Sequence, residues 1–481
     1  MGRKMGNLLR NIRHLVAGNI VRSTVMTLLT LYIIRNTSVG DFGIYSTVLA
    51  FSSITTAFVN FGLNTYMTRE ASRNIGVFIP LLKAVTKARF LLFTVSEVIL
   101  YILLTLLGYN ETVILLTLIF ALDPMLSFLL DSLYSLLYIE ERTQLVSLAE
   151  SGRRALLFAL VLLISGKNLV DIVVSYPVAN AIVLVAVVIL SAGRLGELRR
   201  ISTGSVPSIG DLLRKNLSFS LQTLTGLFFW NVDVMMVSKL LGTTATGFYN
   251  VGATIFKAIY FLPQSFGSVL LPKLSRAHYD GNFENFRNLI LESAKTLFLV
   301  AIGIVVYSQT SLSYYIPILF GDKYFPAMGL IGPMSLIVLF YFPAFLGQNV
   351  LIALDREKKA VNSLILANAT NFLLNLMFIE RYGLLGAVYA TVLSQAVFFG
   401  STVYYLRDVI VLMSPLSFMW RDLAVGSVLW AVTGLTVSWL NGIVKPYLAD
   451  NLYFLTFFLI HRTLIKGEKF IPRELHPRKG V

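Results

Sequence analysis

The 481-residue sequence contains no cysteine. Disulfides, thiolate metal centres and a cysteine nucleophile are thereby excluded. Charge is scarce: Asp, Glu, Lys and Arg together make up 14%, against roughly 25% in soluble domains. The four histidines, His14, His278, His461 and His476, form no cluster with metal-ligand spacing. There is no glycine-rich loop ending in Lys-Ser or Lys-Thr, so the chain is not expected to hydrolyse ATP. No run of Lys and Arg is interleaved with aromatic residues, which argues against a nucleic-acid partner despite a net charge of +15. The connections between apolar runs are all short, so a soluble catalytic domain has no room. We read the chain as a non-enzyme, with no cofactor beyond a coupling proton or Na+.

What is present is apolar length. Hydrophobic residues account for 56% of the chain, and the mean hydropathy is +0.74. Fourteen runs stand out, at about 15–34, 42–62, 85–107, 112–137, 145–165, 169–192, 217–241, 248–271, 289–309, 327–352, 361–379, 384–406, 422–440 and 444–461. Runs of about 20 residues cross a hydrocarbon layer of roughly 30 Å. Backbone groups in lipid must pair within the chain, and the runs do not alternate as barrel strands do, so helices are predicted. With the N-terminus inside, inner segments hold 32 Lys and Arg and outer loops hold 6, leaving Arg22 and Lys257 within spans. That asymmetry predicts a multi-pass plasma-membrane protein with both termini cytoplasmic. An arginine interrupts the first run and no small-residue cleavage site follows, so it reads as a retained helix.

The chain also repeats itself. Gly43-Ile44-Tyr45 opens an apolar span that ends at Arg69-Glu70-Ala71-Ser72-Arg73, and Gly247-Phe248-Tyr249 opens a second that ends at Pro272-Lys273-Leu274-Ser275-Arg276. Glu140-Glu141-Arg142 has its counterpart in Asp355-Arg356-Glu357, at nearly the same offset. Six spans return the chain to its starting side, which makes the two repeats parallel. The expected organisation is an all-α integral membrane protein. A first six-helix lobe covers 1–192, a cytoplasmic linker 193–216 and a second six-helix lobe 217–406, with two further helices and a basic tail over 407–481.

Three stretches together resemble the polysaccharide-exporter, O-antigen-type flippases of the multidrug/oligosaccharidyl-lipid/polysaccharide (MOP) superfamily. They are Gly40-Asp41-Phe42-Gly43-Ile44-Tyr45 with Asn60-Phe61-Gly62-Leu63; Gly247-Phe248-Tyr249 through Lys257, Leu262-Pro263 and Leu271-Pro272-Lys273-Leu274-Ser275; and Asn371 and Asn375 with Tyr382-Gly383-Leu384-Leu385-Gly386-Ala387. The resemblance covers spans 1–12. It implies a V-shaped, MATE-like two-lobe fold, alternating access, and a lipid-phosphate- or lipid-pyrophosphate-linked glycan as substrate. It also implies that spans 1, 2, 7 and 8 line the central cavity.

Those four spans carry polar residues at helical spacing. Span 1 has Asn19, Arg22, Ser23, Thr27 and Thr30; span 2 has Ser52, Thr56, Asn60 and Asn64. Span 7 has Ser218, Gln222, Thr225 and Asp233; span 8 has Asn250, Lys257, Gln264 and Ser268. An anion crossing an apolar core needs fixed positive partners, and guanidinium and ammonium groups both bind phosphate. Arg22 and Lys257 are therefore the candidate phosphate contacts, with Asp233, Asn19, Asn60, Gln222 and Gln264 as cavity neighbours. The alternative for Arg22 is snorkelling to inner headgroups. Asp233 and Lys257 lie at similar depths on either side of the turn near Gly242 and are expected to meet, as a structural pair or as one opened by substrate. Glu97 and Asp123, placed symmetrically before and after Asn110, also fall at one depth. They read either as a proton or Na+ coupling site or as hydrogen-bonded carboxylates, one of them linked to Arg22. Asp123-Pro124 predicts a helix break, while Asn368, Asn371 and Asn375 share a face suited to interhelix hydrogen bonds.

The leading expectation is thus a monomeric flippase acting on a lipid-linked glycan among membrane lipids. The alternative is a cation-coupled multidrug antiporter, for which a cationic span 1 is ill suited.

Overall fold

The computed structural model describes residues 21–164, 168–203 and 207–409. Asn19 and the two spans expected over 422–461 lie outside them. The described chain is an all-α membrane protein. A helix over 21–36 (α1) is followed by α2 (Val39–Asn60), α3 (Leu63–Arg73), α4 (Phe78–Leu106), α5 (Glu111–Phe120), α6 (Leu122–Ile139), α7 (Thr143–Ile164) and α8 (Leu169–Arg200). The second half comprises α9 (Ile209–Leu241), α10 (Thr243–Ile259), α11 (Phe261–Tyr279), α12 (Phe283–Thr310), the short α13 (Tyr315–Phe320), α14 (Met328–Ala353), α15 (Glu357–Tyr382) and α16 (Leu384–Tyr405). Ten of the resulting segments are long and apolar enough to span a membrane. α4 exposes Phe90, Val98, Tyr101, Ile102 and Leu106, a surface that lipid satisfies and water would not.

Three spans are broken, and local chemistry explains each break. Between α2 and α3 the chain turns through Phe61 (φ 39°) and Gly62 (φ 72°). The left-handed conformation is inexpensive only for the glycine. Pro124 lies one helical turn beyond Phe120, and Pro263 one turn beyond Ile259. In each case the proline removes the N–H that would bond the last carbonyl of the preceding helix. The expected break at Asp123-Pro124 is therefore present, slightly early, at Ala121. The connection expected over 193–216 is largely helical, because α8 runs to Arg200 and α9 starts at Ile209.

The repeat is visible in space. α2 begins at Val39 and α10 at Thr243, the same offset that separates Gly43 from Gly247, and the two helices pack on each other. A Cβ on Gly43 would sit 1.7 Å from the Thr243 carbonyl oxygen and 3.1 Å from the Gly247 nitrogen. A Cβ on Gly247 would sit 2.3 Å from the Val39 carbonyl oxygen. Each glycine of the repeated motif thus admits the first turn of the other repeat. One turn further, Asn250 donates to Ser46 Oγ at 2.6 Å, and Thr47 donates to Ser238 Oγ at 2.7 Å.

Further contacts fasten the halves on the face carrying the α1–α2, α4–α5 and α9–α10 turns. Lys239 donates to the Leu107 carbonyl. Lys323 donates to the carbonyls of Arg35, at 2.9 Å, and Thr37. Arg35 reaches the Ile318 carbonyl at 2.5 Å. We call this the closed face. Among the described residues one apolar cluster runs through both halves, including Leu29, Phe42, Tyr45, Val237, Tyr249 and Tyr341.

Candidate functional site

Two polar centres lie among the helices, one in each half. The second-half centre is a cavity of about 50 Å³ between α9, α10, α14 and α16, room for one or two waters. Phe229, Trp230, Phe256 and Tyr260 wall it; Asp233, Tyr249, Lys257, Thr391 and Gln395 supply its polar groups. Lys257 is exposed and makes no direct ion pair or hydrogen bond with a described residue.

The direct Asp233–Lys257 pair expected across the turn is not formed. Asp233 Oδ1 accepts from Asn375 at 2.7 Å and Oδ2 from Thr391 at 3.0 Å. Equal depth says nothing about the direction in which a side chain leaves its helix. Asp233 turns towards α15 and α16, while Lys257 lines the same cavity without a direct bond to it. Asn375 also donates to Asn371 Oδ1 at 2.9 Å, and Asn368 donates to the Thr225 carbonyl at 2.9 Å. The asparagine face of α15 therefore serves interhelix bonding. Gln264 is exposed on α11 within hydrogen-bonding reach of Tyr341. Asn60 ends α2 and is partly buried. The side chain of Gln222 lies outside the described residues.

The first-half centre is a chain of charges. Arg22 NH1 on α1 lies 3.7 Å from Glu150 Oε2 on α7. Arg153 grips Glu150 with two bonds, Nε to Oε1 at 3.1 Å and NH2 to Oε2 at 2.7 Å. Arg153 NH1 donates to Asn180 Oδ1 at 2.7 Å, and Asn180 Nδ2 donates to Asp123 Oδ1 at 2.6 Å. The same amide reaches the Asp123 carbonyl at 3.0 Å. Arg154 points to α1, its NH1 3.5 Å from Met26 Sδ. Glu97 joins none of this; its Oε1 accepts from Thr55 on α2 at 3.2 Å. Glu97 and Asp123 thus engage different helices, α2 and α8. Among the described residues no group of three or more His, Asp or Glu could hold a metal ion.

Arg22 and Lys257 are therefore not the only deep cations. Arg89, Arg153 and Arg154, which the charge count assigns to inner segments, sit well inside α4 and α7. Arg89 is fully buried. It donates to the carbonyls of Val59 and Phe128, to Ser132 Oγ, and to Asn64 Oδ1 at 2.8 Å. It thereby ties α4 and α6 to the α2–α3 break, and Asn64 is spent on this structural task. The missed signal was Glu150 just under one turn before Arg153, an acid–base pair on one face of an otherwise apolar helix.

Comparison with known proteins follows the same lines. The sequence profile of the polysaccharide biosynthesis proteins matches residues 8–278, and the MatE profile matches residues 219–379. An uncharacterized membrane protein of Methanocaldococcus jannaschii is 23% identical over 208 residues, 41% of this chain and 40% of that protein. The chain thus matches about two fifths of the length of this curated relative. Among solved structures, the fold is similar to a lipid II flippase in an inward closed conformation (TM-score 0.68, 14% identity, 94% of this chain and all of that one). It is also similar to an inward-facing multidrug resistance MATE transporter of the MOP superfamily (TM-score 0.60, 12% identity, 81% and 98%). A third similar structure is a MOP superfamily transporter from Pyrococcus furiosus, described as having a binding pocket of reverse polarity (TM-score 0.51, 13% identity, 82% and 95%).

Proposed function

Because the chain belongs to the polysaccharide biosynthesis protein family and has the MOP-superfamily fold, we propose that it is a flippase for lipid-linked glycans. It would carry oligosaccharide or polysaccharide repeat units, joined to lipid by phosphate or pyrophosphate, from the inner to the outer leaflet. The observation that carries this reading is Lys257, an exposed cation that lines a cavity beside Asp233, Thr391 and Gln395 and makes no direct ion pair among the described residues. An ammonium not tied up by a direct ion pair attracts an anionic headgroup and repels a cationic drug, although Asp233 in the same cavity offsets part of its charge. Arg22, one-third exposed on α1, is the second contact. Its planar fork suits phosphate oxygens, and Lys257 adds a point charge.

The excess of Lys and Arg on one set of connections favours a cytoplasmic position for both termini. On that assignment the closed face is the outer one, and the cavity loads from the side where the substrate is made. The breaks at Phe61–Gly62 and Tyr260 supply bends at which the halves rock. We assign the two six-helix lobes and a monomeric working unit on the same basis. If transport is coupled to a proton or Na+, Glu97 and Asp123 act as separate sites, since each has its own hydrogen-bond partner.

The test is glycan export in cells lacking their own flippase, comparing wild type with Arg22→Ala and Lys257→Ala. Each variant should lose about tenfold or more, the scale of a charge-assisted hydrogen bond. Full export by both would sink the reading. A cation-coupled multidrug antiporter is the second reading, favoured by the MatE profile match over residues 219–379. Efflux of a cationic dye, unaffected by Lys257→Ala, would select it instead.

A further inference from the structure

We infer that Glu150 is a positioning residue, a built-in anion that occupies Arg22 until a substrate phosphate displaces it. The inference rests on the reading of Arg22 as a phosphate contact.

Glu150 serves two guanidiniums unequally. Arg153 binds it through both carboxylate oxygens, at 3.1 and 2.7 Å. Arg22 approaches one of those oxygens only to 3.7 Å, beyond hydrogen-bond length. The side chains of Glu150 and Arg153 are 9% and 6% exposed, whereas that of Arg22 is 34% exposed. The inner pair is therefore closed and hydrogen-bonded, and the outer contact is open and loose. A contact whose purpose was to staple α1 to α7 would have the geometry that Arg153 has.

This asymmetry makes exchange inexpensive. Breaking a buried ion pair is costly because it strands an uncompensated charge. When Arg22 leaves, Glu150 keeps its two bonds to Arg153, and Arg153 keeps Asn180, so nothing buried is stranded. Arg22 is exposed enough to be hydrated until its new partner arrives. A phosphate or pyrophosphate group offers more oxygens and more charge than half of one shared carboxylate. A carboxylate or sulfonate headgroup, with a single charge, has a smaller advantage over the shared Glu150. The placeholder therefore discriminates: it neutralises Arg22 at rest and yields most readily to anions stronger than a carboxylate.

The experiment uses the full-length chain, purified in detergent, and measures equilibrium binding of a short-chain polyprenyl pyrophosphate. Arg22→Gln should weaken binding. Glu150→Gln should tighten it by about fivefold, the scale of one partly exposed ion pair, and only while Arg22 is present. In an Arg22→Gln background the gain should vanish. Glu150→Asp keeps a charge for Arg153 but withdraws it from Arg22; it should give the same gain and carries the test if the glutamine variant does not fold. A purely structural role for Glu150 would shift stability without this dependence on Arg22. If Arg22→Gln weakens binding but the Glu150 variants change nothing, or act equally in both backgrounds, the placeholder is overturned and the phosphate contact stands. If Arg22→Gln leaves pyrophosphate binding unchanged, the phosphate reading fails and the placeholder falls with it.

Discussion

Ser46 and Asn250 lie far apart in the chain and 2.6 Å apart in space, with the asparagine amide donating to the serine hydroxyl. Their separation in sequence equals the offset between the starts of α2 and α10, so equivalent positions of the two repeats touch each other. The contact marks a local pseudo-twofold axis where the halves cross.

The crossing depends on two absent side chains. Gly43→Ala would force a methyl group within 1.7 Å of the Thr243 oxygen, and Gly247→Ala within 2.3 Å of the Val39 oxygen. Overpacking of this kind costs about 1–3 kcal/mol, and here the obstacle is backbone. Both variants should therefore part the halves at the closed face. The parent chain has no cysteine, so a single cysteine at Ser238 reports the change by thiol labelling without background. Gly40→Ala, whose Cβ would be 3.6 Å from its nearest neighbour, should leave labelling unchanged.

The same reporter tests the fastening. Lys239→Gln and Lys323→Gln each remove a cation from backbone carbonyls of the other half. At about 1 kcal/mol per net hydrogen bond, Lys239→Gln should raise the open fraction about fivefold, Lys323→Gln, which loses two bonds, about thirtyfold, and the double variant more. Labelling at Ser238 that stays at the wild-type rate in the double variant would show that apolar packing alone holds the face.

Asn180 joins the two ends of the first-half charge chain. Asn180→Leu would leave Arg153 NH1 and Asp123 Oδ1 without the partners they now have. A buried polar group left unpaired costs about 1–3 kcal/mol, so the thermal midpoint in detergent should fall by several degrees. Asp123→Asn in the same background should recover part of the loss, because it removes the charge that would otherwise be stranded. A double variant no more stable than Asn180→Leu alone would refute that account.

Outside the membrane spans, Arg356 binds Asp408 through two bonds, at 2.9 and 2.6 Å. Those bonds hold the Asp408 carboxyl down at about 2, against roughly 3.9 in an unfolded chain. The folded value is the lower one, so the pair's contribution is complete above pH ~4 and is lost as pH falls from there towards 2. Both side chains are partly exposed, so the effect is small and weakened by salt. Asp408→Asn should flatten the acid limb of a thermal-stability profile at low ionic strength and leave the profile above pH 5 parallel to wild type.

The described helices, the repeat and the breaks are legible because each is written along the chain. Apolar length gives a helix, a recurring Gly-aromatic motif gives the offset, and Pro124 removes an N–H that the preceding helix would need. Side-chain direction is written less plainly. Counting residues from Gly242 put Asp233 and Lys257 at one level, yet Asp233 is taken by Asn375 and Thr391, on helices distant from it in sequence. The charge count failed for a related reason. It treated Arg89, Arg153 and Arg154 as inner-surface charges because they lie near span starts, whereas carbonyls, Asn64, Glu150 and Asn180 make an interior place for the first two. Partners drawn from several separate helices leave no local pattern.

The grip of Lys239 and Lys323 on carbonyl oxygens has an evolutionary consequence. Every residue type at Arg35, Thr37 or Leu107 would present the same oxygen, so substitutions there cannot remove the acceptor. The first half can drift at Thr37 and Leu107 while the second still holds it, whereas Arg35 also fastens the face through its own side chain. The hold of these two lysines is thereby insulated from side-chain changes at the residues that accept from them. Changes at Lys239 and Lys323 would alter the hold on this face without altering the polar groups of the two centres.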